Sequence, residues 1–170
     1  MEDEPIINRV AKSPLVSIDL EEYFPSAETF SLDLADFLFQ RMLLKESDFR
    51  AKLKAFDFEV YNGKAVRVYC SEEAIIPAWA LMLVASYLHG IALVYVFGTD
   101  EVLQHAIIDF AIDAIPSELY VDKKVIIKGC GSLTERDYAY MQVSKKMLPH
   151  VSSLMYGEPC STVPVFKRKK

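Results

Sequence analysis

The clearest hydrophobic pattern lies between Lys64 and Gly98, KAVRVYCSEEAIIPAWALMLVASYLHGIALVYVFG, where three kinds of spacing follow one another. Val66 and Val68 alternate with Arg67 and Tyr69 as on a pleated strand, and CSEE then interrupts the alternation. The twelve residues Ala74 to Ala85 are uniformly apolar, too few to cross a bilayer and too uniform for a surface helix. They predict a helix packed inside the fold, with Pro77 in its first turn, where a missing N–H costs nothing. His89-Gly90 ends it. IALVYVF then resumes as a strand apolar on both faces, the signature of a parallel sheet covered on both sides.

The flanks extend this alternation. Residues 1–13 read as a loose arm, LVSIDL as an edge strand, TFSLDL as a further strand, then a helical turn over 35–40 and an extended MLLK. Phe49, Leu53 and Phe56 recur at helical spacing after Ser47, a candidate N-cap. Downstream, Thr99 can cap a helix whose stripe is Val102, Leu103, Ala106, Ile107, Phe110, Ala111 and Ala114, stopped by Pro116. KKVIIKGCG reads as a strand, Thr134 with Asp137 as a capping box, and VSSLM as a last strand before the extended YGEPCSTVPVFKRKK. The predicted order is strand 65–69, helix 75–88, strand 91–97, helix 100–114, strand 124–128, helix 135–148, strand 151–155. Such alternation predicts an α/β fold of three layers, a mostly parallel sheet with helices on both faces. As one domain it divides into the arm, an N-terminal strand/helix elaboration (14–62), a βαβαβαβ core (63–156) and an extended C-terminal segment (157–170).

Composition narrows the classes. A chain of 170 residues, 52% apolar, can bury a core without metals or disulfides to hold it. The net charge of −5 argues against nucleic acid and anionic membrane partners, the basic terminus Lys167–Lys170 reading as a solvated end. MEDEPIINRVAKS lacks the pattern of a signal peptide, so a cytoplasmic location is expected. Three cysteines spread over ninety residues do not form a disulfide framework.

In a parallel sheet the strand carboxyl ends share one edge, and ligands bind just beyond it. Cys70 follows the first strand of the predicted core, Cys130 the third, and Cys160 the fourth, so all three are expected on that edge. Gly129 and Gly131 would let a ligand approach Cys130, and a helix starting after Glu73 would aim its positive end at Cys70. Three thiolates with Glu73 or Glu158 would suit zinc, and three thiolates alone could hold an iron–sulfur cluster with one open iron. Glu72 is a further carboxylate for the zinc set, and Lys128 could lower a neighbouring thiol pKa. The plainer reading is that each cysteine is a small core residue and that Glu72-Glu73 merely complement a helix start. His89, His105 and His150 lack metal-ligand spacing, Trp79 reads as core, and Ser161 and Thr162 could bond an anion or, as is commoner, the backbone. No phosphate-loop, dinucleotide, serine-hydrolase or zinc-protease motif occurs.

The segments CSEEAIIPAWA, KGC and MYGEPCSTVPVFKRK carry a resemblance. From INRVA to PVFKRK the chain resembles an uncharacterised domain-of-unknown-function family of small Bacteroidetes proteins. The resemblance implies no catalytic residue, but it implies a gene neighbourhood, that of the sulfur-mobilisation machinery for iron–sulfur cluster assembly. Three functional readings stay open. One is a thiolate-based metal or iron–sulfur accessory with iron–sulfur assembly proteins as partners. The second is a small-molecule enzyme with one activated cysteine. The third is an interaction module using the Tyr- and Phe-rich stretch 23–39, with self-association allowed.

Overall fold

A computed structural model describes residues 15–129, 131 and 133–169. The fold is α/β, as expected, with four α-helices and mostly parallel strands among the described residues. The strands are β1 (Leu15–Ile18), β2 (Thr29–Asp33), β3 (Ala65–Tyr69), β4 (Val94–Phe97), β5 (Lys124–Ile127), β6 (Ser153–Glu158) and β7 (Ser161–Lys167). The helices are α1 (Glu46–Ala55), α2 (Ala78–Leu88), α3 (Asp100–Asp113) and α4 (Arg136–Met147). The strands form two sheets instead of the one expected, ordered β2-β3-β4 and β1-β5-β6-β7. Two compact units correspond to them: Pro25–Phe110, and Met1–Phe24 with Ala111–Lys170. The predicted core over 63–156 is thus shared between units, and the arm 1–13 lies outside the described residues. Among the described residues no helix is long and apolar enough to cross a membrane.

In the unit Pro25–Phe110 all three strands are parallel. Leu32, Val66 and Val68 turn to one face and join Phe49 and Leu53 of α1 and Ala80, Val84 and Leu88 of α2 in a single buried cluster. Aromatic rings fill it, Phe49 meeting Phe37 and Trp79 edge-on at centroid distances of 6.3 and 6.0 Å. Helix α2 begins at Ala78 with Pro77 as its N-cap, three residues later than the apolar run suggests. Pro77 disfavours the helical region for Ile76, so Ala74–Ile76 stay outside the helix and Ile75 is exposed. Helix α1 starts at Glu46 with Lys45 as N-cap, before the expected Ser47. Thr99 caps α3 as predicted, its Oγ1 accepting from the Val102 amide at 3.4 Å.

In the other unit β1, β5 and β6 are parallel, although β1 and β5 are separated by most of the chain. The extended C-terminal segment is a strand, β7, antiparallel to β6 across the two-residue loop Pro159-Cys160. Arg136 opens α4 with no side-chain cap, so Thr134 and Asp137 make no capping box. Near its other end Lys146 donates to the carbonyls of Ile112 (2.7 Å) and Asp113 (2.8 Å), satisfying the last turn of α3.

A candidate ligand cleft on the carboxyl edge of the β2-β3-β4 sheet

β2 ends at Asp33 and β3 at Tyr69, side by side and pointing the same way. Beyond them the chain makes a 3-10 turn, Leu34–Phe37, capped by Asp33, whose Oδ1 accepts from the Ala35 amide at 2.9 Å. The same oxygen accepts from the Ser71 amide at 3.0 Å, tying the two strand ends together. A tight loop follows, closed by Met42 N–H to the Phe39 carbonyl at 3.1 Å. Gln40 and Arg41 at its tip have φ of 50° and 60°, a left-handed conformation costing a non-glycine residue about 1–2 kcal/mol. That loop replaces the extended MLLK of the sequence reading.

The guanidinium of Arg41 at this tip has several partners. Its Nε donates to Glu72 Oε1 at 3.2 Å, Nη1 to Asp36 Oδ1, and Nη2 to Ser71 Oγ at 3.0 Å, with Asp33 Oδ2 at 3.6 Å. Glu72 first, then Asp36, holds Arg41 still more firmly protonated. Lys52, from α1, donates to the carbonyls of Asp36 (2.9 Å) and Leu38 (2.8 Å). Asp33, Asp36, Arg41 and Lys52 line a cleft of about 710 Å³ walled by Phe37, Phe56, Tyr61 and Tyr69. Burial raises the Tyr61 pKa, keeping its phenol neutral.

For Asp33 burial opposes ionisation, but the hydrogen bonds from Ser71 and Ala35 and the charge of Arg41 outweigh it and lower its pKa from the ordinary carboxylate value. A depressed folded value means that its stabilisation is complete above the unfolded value and lost as pH falls through the folded one. Urea unfolding followed between about pH 4 and pH 2 should therefore show a steeper loss of stability in the wild type than in Asp33→Asn. Equal slopes would show that Asp33 is not coupled to the fold.

A family model described as a protein of unknown function (DUF2480) matches residues 4–168. The chain belongs to that family. No curated protein and no solved structure matches it.

The described residues among those singled out by sequence in this family member fall in both compact units. Cys70 follows β3 at the edge just described, half-buried and packed against the apolar cluster. The helix dipole expected to act on it does not, because α2 starts eight residues later. Glu73 is exposed between them. Glu158 ends β6 and Cys160 stands exposed in the β6–β7 loop, both in the other sheet. Gly129 follows β5, while Cys130 lies outside the described residues. The single sheet edge from which three converging thiols were inferred is therefore corrected to two edges of two sheets. Among the described residues no group of three or more His, Cys, Asp or Glu is arranged to hold a metal ion. Lys128 faces carboxylates: Asp19 at 3.2 Å, then Glu158 and Glu22, raises its pKa. Sequence reasoning missed the Arg41 cleft. Its one local signal was the acidic pair Asp33 and Asp36 shortly before a lone arginine.

Proposed function

We propose that the protein binds a small zwitterionic molecule, such as an amino acid or short peptide, in the Arg41 cleft. The reading is carried by unspent hydrogen-bonding capacity of both signs in one cleft. Arg41 has five N–H donors and three hydrogen bonds, and Lys52 has three donors and two. Three donors thus remain for a ligand carboxylate, and Arg41 offers the planar fork that suits one. Asp36, largely exposed, keeps its second oxygen for an ammonium group. Asp33 and Asp36 balance Arg41 and Lys52, so the lining favours a ligand with no net charge.

β2 adds a peptide-like surface. It is an end strand, and Ala65 N–H bonds the Glu28 carbonyl, which assigns the amides and carbonyls of Thr29, Ser31 and Asp33 to the outer side. Ser31 and Asp33 line the cleft. An extended main chain could pair there, as in strand addition to a sheet edge.

The test is an amide-resolved titration of the protein with single amino acids and glycylglycine at millimolar concentration. Binding should move the Ser31, Asp33 and Ser71 amides together and saturate. Arg41→Gln should weaken it at least about tenfold while far-UV dichroism stays the same. If no probe shifts those amides, the reading fails.

A further inference from the structure

The opposite end of the same sheet carries a second, independent feature. Among the described residues β4 is the last strand of its sheet, with β3 as its one neighbour. Gly98 N–H donates to the Val68 carbonyl at 3.0 Å, so the even-numbered residues of β4 turn their backbone groups to β3. Tyr95 and Phe97 turn theirs outward. End strands ordinarily carry charge, proline or a bulge that discourages pairing. The end strand β7 has Pro164 and Lys167, and its ladder with β6 is irregular at Leu154/Met155. β4, VYVF, has none of these.

An apolar helix flanks it. α2 has no charged residue, Met82 on it is 72% exposed, and a groove between α2 and β4 is lined by Leu81, Ala85, Tyr95 and Phe97. Phe97 is itself 50% exposed. Hydrophobic surface of this kind beside an unpaired strand marks an interaction site.

We propose that a second copy of this chain covers this edge, the two β4 strands pairing antiparallel about a two-fold axis through Val96. The register is what singles out a second copy. With the axis at Val96, Tyr95 lies opposite Phe97 of the partner subunit and Phe97 opposite Tyr95 of the partner subunit. Every outward amide and carbonyl of the strand is then used, and two aromatic cross-strand pairs form beside α2. An axis at Tyr95 would set Phe97 against Leu93, whose amide is already bound to the Lys64 carbonyl at 2.9 Å. One at Phe97 would set Tyr95 against Thr99, which lies beyond the strand. The absence of charge on α2 and β4 points the same way: identical copies meet no like-charge repulsion, and an acidic or basic partner gains no attraction.

Light scattering and sedimentation of the full chain decide the matter. The wild type should show twice the 19.3 kDa chain mass at micromolar concentration. Phe97→Lys and Met82→Lys change exposed side chains, so each should keep its far-UV spectrum and raise the dimer dissociation constant at least about tenfold. Val96→Cys tests the register, because residues facing each other across non-hydrogen-bonded antiparallel positions have Cα atoms about 4.5 Å apart, within disulfide range. Treated with oxidised glutathione as electron acceptor, it should give a covalent dimer on a non-reducing gel, and wild type and Val94→Cys should not. A monomeric wild type overturns the proposal. A dimer insensitive to both lysine variants and not trapped by Val96→Cys overturns it equally, since self-association would then use another surface.

Discussion

Phe49→Ala is expected to destabilise the protein by about 3–5 kcal/mol, the largest loss from any single core truncation in the unit Pro25–Phe110. Phe49 has no exposed surface and sits where α1, α2 and the sheet meet, its ring edge-on to Phe37 and Trp79. Truncation removes the transfer free energy of a phenyl ring and leaves a cavity whose walls are held by other rings, which limits collapse. Trp79 is the only tryptophan in the chain and touches the site, so its emission reports the unfolding of that unit. In urea the midpoint should fall sharply with little change in slope, because the surface exposed on unfolding is almost unaltered. Phe39→Ala is the comparison: Phe39 is 38% exposed, and its loss should cost about 1 kcal/mol or less. A Phe49→Ala midpoint as close to wild type as that of Phe39→Ala would mean that the cluster is not the support of this unit.

Local pattern found the elements and missed what joins them. Alternation at Val66 and Val68 and the stripe containing Leu103, Ile107 and Ala111 correspond to β3 and α3, because periodicity and burial are the same physical fact. Apolar character without periodicity was less informative: the run from Ala74 contains both a non-helical stretch and α2, and only Pro77 marks the division. That β1 pairs with β5 while β3 and β4 stand in another sheet depends on contacts between distant residues, and no window of sequence contains them. The expected gathering of Cys70, Cys130 and Cys160 was argued from a single sheet, whereas the strands before them belong to two. The Arg41 cleft was hidden for a different reason. Gln40 and Arg41 adopt a left-handed turn with no glycine, asparagine or aspartate to announce it, and the carboxylates that support Arg41 come from both sides of α1 in the sequence. Strain of this kind is one of the few places where local preference and final structure disagree, and such places concentrate at binding sites.

Gly157→Ala is expected to cost about 3 kcal/mol or more and to detach β7 from β6. Gly157 lies inside β6 opposite Thr162 with φ of +116°, a conformation that side chains resist. Space compounds the strain. A Cβ there would stand 2.6 Å from the Ser161 carbonyl oxygen, a backbone atom that can retreat only if the Pro159-Cys160 loop opens. Gly63 separates the two causes, since its φ is +68° and nothing lies within 4 Å of a Cβ at that position. Gly63→Ala should therefore show the conformational cost alone, about 1–2 kcal/mol. Amide exchange gives the local readout: in Gly157→Ala the amides of β7 should lose protection before those of β5, whereas Gly63→Ala should leave β7 unchanged. If the two variants lose equal stability and β7 stays protected in both, close approach of the chain at Ser161 is not what requires glycine at 157. The hairpin that displays Glu158 and Cys160 would then tolerate a side chain at its base.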